Sequence, residues 1–179
     1  KSIKAVEACM MEEQKIFLVT QKDVEQENPA QEDLYRIGII AEVKQVIKLQ
    51  NNIVRILVEG KERAELSSFL DHPDYLLAEV VCFDETEEKL TEEVQMAMVR
   101  GIQETFERYG AVNNRLGKEL QRQVRENTEL EKLMDQLANN LPVGYEEKQK
   151  ILEAVSLTER YEVLMALLLK EIEIIAIKN

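Results

Sequence analysis

The sequence predicts an α+β protein in two parts: a small twisted β-sheet or partial barrel carrying one helix, followed by an α-helical bundle that ends in a long helix. Three observations predict it. Apolar residues recur with period two from Ile37 to Leu66, the mark of half-buried strands. After Leu90 the period becomes that of a helix. Only three Pro and six Gly punctuate 179 residues, which favours long elements. The boundary is placed between 1–86 and 87–179, inside an acidic stretch from Asp84 to Lys89 that breaks both patterns.

An amphipathic helix opens at Ser2 and runs to about Glu13, with Ile3, Val6, Cys9 and Met10 on one face. The run from Lys15 to Thr20 is short, apolar and rich in β-formers, so it reads as a strand. Gln21 to Asp33 is polar, carries Pro29 and reads as a surface loop. The hairpin comes next. Ile37, Ile39, Ala41, Val43, Ile47 and Leu49 alternate with Glu42, Lys44 and Lys48. Asn51-Asn52 suits a two-residue turn because Asn tolerates positive φ. That turn sets Leu49 opposite Val54 and Ile47 opposite Ile56, all on a buried face. Gly60 marks a bulge or bend in the return strand, which resumes at Ala64 and Leu66. Asp71 to Asp74 is a turn, and Tyr75 to Phe83 is apolar enough for a strand covered on both faces.

The helical half begins at Thr91, a capping residue with Val94 three positions on. Its helix carries Val94, Met98, Ile102 and Phe106 and ends near Tyr109-Gly110, where Gly suits a C-cap. A polar helix from Asn113 to Arg125 follows, then one capped by Asn127 or Thr128 and bearing Leu130, Leu133, Met134 and Leu137. Leu141 to Gly144 is a connector, and Tyr145 to Ala154 a short helix. Ser156 and Glu159 form a capping box for the last helix. Its stripe of Tyr161, Leu164, Met165, Leu168, Ile172 and Ile175 is widened by Leu167, Leu169, Ile174 and Ile177. Two readings stand: a central helix buried in a bundle, or a helix whose far end packs on another chain or continues into a coiled coil.

A net charge of −12, from 35 acidic and 23 basic residues, argues against nucleic acid and against an anionic membrane surface as partners. No stretch has the length of a transmembrane helix and no signal peptide is visible. Cys9 and Cys82 stand far apart in apolar segments without CxxC or Cys/His spacing, so they read as buried, reduced thiols and not as metal ligands. His72, the single histidine, lies in a polar turn and reads as a surface residue. Phosphate-loop glycine patterns and the G-x-S-x-G elbow are absent. Ser67-Ser68 reads as structural, and the acidic run Asp84 to Glu88 lacks the glycine-turned order of a calcium loop. No catalytic, cofactor-binding or metal-binding residue is assigned.

A series of strings occurs in a fixed order: Ile16 to Asp23, Pro29, Asp33-Leu-Tyr-Arg-Ile-Gly38, Val46 to Leu49, Ile53 to Gly60, and Arg63-Ala64. Together they resemble the N-terminal domain of Lon proteases, with its D-L-Y-x-I-G entry to a long strand, its hairpin and its V-x-G-x-x-R exit. Leu141-Pro142, Glu147 to Gln149, Leu152-Glu153, Arg160 and the apolar final helix are similar to the helical part of the same region. The sequence departs from the pattern in lacking a P-L-R strand before Lys1, in its Gln-Asn-Asn hairpin tip and in Ile39.

The resemblance implies a PUA-like sheet and a non-catalytic fragment of a cytoplasmic, hexameric, ATP-dependent serine protease. ATP and Mg would belong to domains outside this stretch, as would a Ser–Lys protease centre, and the fragment itself would need no cofactor. Its partners would be unfolded or damaged proteins and further copies of itself. Capture of unfolded chains calls for exposed apolar side chains, and Leu141, Val143, Tyr145 and Met11 are the candidates. Ile174 and Ile177 are the candidates for self-association. The alternatives are a stand-alone Lon-like binding protein and a mainly structural oligomerisation module.

Overall fold

A computed structural model describes residues 2–83 and 89–178 of the chain. The chain forms two compact units, Lys1–Asp84 and Glu85–Asn179. The acidic run Asp84 to Glu88, and with it the boundary expected at 86/87, lies outside the described residues.

The first unit begins with helix α1 (Ser2–Met10) and continues into strands β1 (Lys15–Leu18), β2 (Ile37–Lys48), β3 (Val54–Leu70) and β4 (Leu77–Cys82). The strands form one open antiparallel sheet in the order β1-β2-β3-β4. The helix ends earlier than its pattern suggests, because Gln14 takes a left-handed φ of 63° and folds its N–H back onto the Cys9 carbonyl at 2.9 Å. The core is small: Val6 and Cys9 from α1, Leu34, and Ala41, Val43, Ala64 and Leu66 from the sheet. Asp33 organises the loop before β2, since its Oδ2 accepts from Gln26 Nε2 and from the Ala30 N–H, each at 2.8 Å. Gly38 fits because a Cβ there would run into the Leu18 carbonyl and come within 2.8 Å of the Phe17 ring.

The hairpin differs from the expectation in register. Asn51 and Asn52 do take positive φ, 64° and 58°. The loop nevertheless includes Gln50, since the Leu49 N–H donates to the Ile53 carbonyl at 2.8 Å. Lys48 therefore faces Val54 and Val46 faces Ile56, a slip of one residue from the expected pairing. Two bulges follow, one leaving Lys44 unpaired and one leaving Lys61 unpaired beside Gly60. An extra residue inverts which side chains point inward. Ala41 and Val43 are buried before the bulge; beyond Lys44 it is Val46 that turns in, while Ile47 is 41% exposed.

Two further expectations are corrected. β4 is not covered on both faces: it pairs only with β3 among the described residues, and Val81 is 61% exposed. Cys82 on the same strand is exposed, whereas Cys9 is buried and its thiol pKa is pushed up by that burial.

The second unit holds α2 (Glu92–Val112), α3 (Lys118–Glu126), α4 (Leu130–Asn140), α5 (Tyr145–Glu153) and α6 (Leu157–Lys178). Thr91 caps α2 by accepting from the Val94 N–H at 3.2 Å. Helix α2 runs through Gly110 instead of stopping there. A side chain at that position would lie 2.8 Å from Gln121 Oε1, so the glycine serves a close approach to α3. Gln103 closes the end of α3, its Nε2 lying 3.2, 3.2 and 2.9 Å from the carbonyls of Val124, Arg125 and Asn127. The N-cap position of α4 falls to Glu129, not to Asn127 or Thr128. Ser156 Oγ accepts from the Glu159 N–H at 3.1 Å and opens α6. Leu164 and Leu168 of α6 are fully buried against Ile102, Phe106, Leu133 and Leu137, so its first half is the central helix of the bundle.

Candidate functional site

The distal half of the β2–β3 hairpin stands as a two-stranded ribbon. β1 meets β2 only between Ile39 and Glu42, and β4 meets β3 only between Ala64 and Leu70. From Gln45 to Leu57, neither edge has a neighbouring strand among the described residues.

Side chains of residues paired across an antiparallel ladder share a face. Gln45 pairs with Leu57, Ile47 with Arg55, and Leu49 bonds to Ile53, so these six lie on one face. Its four apolar members are exposed: Ile47 41%, Leu49 44%, Ile53 55% and Leu57 60%. The other face carries Val46, Val54 and Ile56, each half-buried, and Lys48, whose Nζ lies 3.3 Å from Glu7 of α1. Single exposed apolar residues are ordinary, but four together on one ribbon face form a patch of the kind that marks interaction sites.

The base of the ribbon is pinned by charge. Glu42 and Glu59 face each other across the ladder, a like-charge pair that alone would destabilise it. The two bulge residues answer it. Lys44 Nζ lies 3.0 Å from Glu42 and 3.4 Å from Glu59; Lys61 Nζ lies 3.5 and 3.1 Å from the same two. The hydrogen bond from Lys44 holds the Glu42 carboxyl below its ordinary pKa, and the bond from Lys61 does the same for Glu59. Both carboxylates in turn hold the Lys44 ammonium above its ordinary range.

Exposed apolar area between two open strand edges is equipment for binding: the face offers contact and the edges offer backbone hydrogen bonds to an extended segment. Among the described residues, no cluster of three or more His, Cys, Asp or Glu is arranged to hold a metal ion. No described helix is long and apolar enough to cross a membrane.

The residues singled out from sequence fall elsewhere. Leu141 is 2% exposed and belongs to the bundle core, so it offers no surface to a partner; its N–H bonds the Leu137 carbonyl at the end of α4 and turns its side chain in. Val143 is half-buried against the same core, and Tyr145 is 38% exposed. The connector therefore turns Leu141 and part of Val143 inward and leaves Tyr145 as the more exposed of the three. Met11, in the first unit, is 88% exposed but isolated in the turn after α1. Ile177 is 80% exposed near the end of α6, and Ile174 is half-buried. Alternation sets Ile47 and Leu49 on the buried face of β2, opposite Val54 and Ile56, and gives Ile53 and Leu57 no role. The extra Lys44 that inverts this face leaves no mark in an alternation count.

Comparison with known proteins bears on the whole chain. The profile of the ATP-dependent protease La (LON) substrate-binding domain matches residues 1–170. A Lon protease of Lachnoclostridium phytofermentans is 45% identical over 178 residues, covering 99% of this chain and 22% of its own length. A Lon protease of Brevibacillus choshinensis is 36% identical, covering 100% of this chain and 23% of that protein. The chain thus spans about a fifth of the curated relatives it matches. Among solved structures, the N-terminal domain of a Mycobacterium avium complex Lon protease superimposes with a TM-score of 0.65 at 22% identity, covering 95% of this chain and 84% of that one.

Proposed function

The chain belongs to the family of the Lon substrate-binding domain, and on that premise we propose that it captures unfolded or damaged proteins for an ATP-dependent serine protease. In this reading ATP and Mg are used by domains outside the chain, in a cytoplasmic hexamer. The observation that carries it is the exposed face of Ile47, Leu49, Ile53 and Leu57 on a ribbon with both edges open. Unfolded chains present apolar segments and unpaired backbone groups, and both find partners there.

Fluorescence anisotropy with labelled, carboxymethylated α-lactalbumin, a permanently unfolded protein, tests the reading. The chain is expected to bind it, and an Ile47→Ser/Leu57→Ser variant is expected to bind about tenfold more weakly, the equivalent of roughly 1.4 kcal/mol. Equal affinity in a folded variant counts against the ribbon as the capture surface.

A second reading rests on α6. Leu169 is 45% and Ile177 80% exposed, more apolar area than a helix end facing water usually carries. Self-association through this end supports an assembly role alongside capture. Sedimentation of an Ile174→Lys/Ile177→Lys variant tests it: an unchanged mass distribution removes these two residues from any such contact.

A further inference from the structure

We infer that the ribbon prefers apolar segments that carry a carboxylate, and that Arg55 makes the choice. The inference rests on the capture role proposed for the same ribbon and names the chemistry it selects.

Between Val43 and Val58 the sequence holds three cations, Lys44, Lys48 and Arg55, and no acidic residue, within a chain of net charge −12. Two of the cations are engaged: Lys44 with Glu42 and Glu59 at the ribbon's base, and Lys48 with Glu7 on the far face. Arg55 forms no ion pair or side-chain hydrogen bond among the described residues. It stands on the apolar face, opposite Ile47 in register and two residues from both Ile53 and Leu57. An exposed guanidinium is thereby set in the middle of the surface that an apolar partner would cover.

Covering it has a consequence. A partner that lies on this face strips water from the guanidinium, and an unpaired charge removed from water costs free energy. A carboxylate on the partner offsets that cost with a paired, bidentate-capable acceptor. A Lys or Arg on the partner adds like-charge repulsion, and a neutral polar residue does neither. Side chains of an extended segment alternate between faces, so the favoured segment has Asp or Glu placed among Leu, Ile or Val on the side that meets the ribbon. Most of the chain's charge is negative and would disfavour acidic partners; this face provides a cation where they dock.

The test uses the whole chain and three labelled peptides of one apolar alternating framework, with Glu, Ser or Lys at the central position, alongside the unfolded α-lactalbumin probe. The Glu peptide is expected to bind about three- to fivefold more tightly than the Ser peptide, with the Lys peptide weakest, a gap that closes at high salt. Arg55→Glu should reverse the order and Arg55→Gln should abolish it, with both variants folded because the residue is exposed. Ile47→Ser/Leu57→Ser should weaken all three peptides alike. Equal binding of the Glu and Lys peptides, or an order untouched by Arg55→Glu, overturns the inference while capture of unfolded α-lactalbumin leaves the proposed function standing. Failure to bind any peptide and α-lactalbumin overturns both.

Discussion

Arg160, in the first turn of α6, closes the end of α5 by donating from Nε to the Ala154 carbonyl at 3.2 Å and from Nη2 to the Val155 carbonyl at 3.0 Å. The side chain is 5% exposed. A helix end leaves carbonyls without intrahelical partners, and a cation is favoured there. Arg160→Ala removes the donors, strands the carbonyls and opens a void, so it should cost about 2–4 kcal/mol. Arg160→Lys keeps the charge but not the fork and should recover less than half of that loss. The midpoint of urea unfolding measures both; an unchanged midpoint in the alanine variant would show that the cap is dispensable.

Gly38 gives the sheet a second sensitive point. Its missing Cβ is what lets β2 lie against the Leu18 carbonyl and the Phe17 ring. The obstacle is backbone, which cannot move without disturbing the β1–β2 ladder at Leu18 and Ile39. Gly38→Ala should therefore destabilise by about 1–3 kcal/mol, as overpacked sites do. Hydrogen exchange should locate the loss in β1 first. Gly117→Ala, where nothing lies within 4 Å of the added carbon, is the control and should change little.

Leu141 separates a core residue from a binding residue. At 2% exposure, Leu141→Ala should lower stability by about 2–5 kcal/mol through the cavity it leaves. Affinity for an unfolded protein, measured where the variant is still folded, should not change. A selective loss of binding at full stability would return Leu141 to the recognition surface.

Much of this fold could be read from residue order because local signals agreed with the packing. Thr91 and Ser156 cap the helices they precede, and the stripe through Leu164 and Leu168 does face the core. The failures share a cause. A two-residue Asn51-Asn52 turn was a sound local choice, yet the loop takes in Gln50 as well, and the register slips by one. Gly60 does mark the bulge at Lys61, whereas the one at Lys44 is set by cross-strand pairing that sequence spacing does not reveal. Gly110 looked like a helix stop because Gly often is one; its use is a tertiary approach to Gln121. The candidate site was missed for the same reason as the register: an apolar residue exposed by a bulge has the same local pattern as one in the core.

The four charges at the ribbon's base set a dependence on pH. Glu42 and Glu59 titrate below the ordinary carboxylate value of 4.5 in the folded chain, held down first by their hydrogen bonds to Lys44 and Lys61 respectively. A depressed folded pKa means that the folded state binds protons less readily than the unfolded one. The stability these groups contribute is then fully present above pH 4.5 and is lost as pH falls through their lowered values. Replacing both lysines, Lys44→Met/Lys61→Met, leaves Glu42 facing Glu59 with no cation between them. Their pKa values should rise, and protonation should now relieve repulsion instead of breaking ion pairs. The native chain is expected to lose ribbon protection as the pH falls below 4.5 and through the lowered carboxyl values, and the double variant to lose less on the same descent or to gain. Amide exchange in the ribbon from Gln45 to Leu57, directly beyond the charges, reads the effect. All four side chains are reached by solvent, so the difference should be small at high ionic strength. Identical pH profiles for the native chain and the double variant at low salt would mean that the lysines do not hold the ribbon's base.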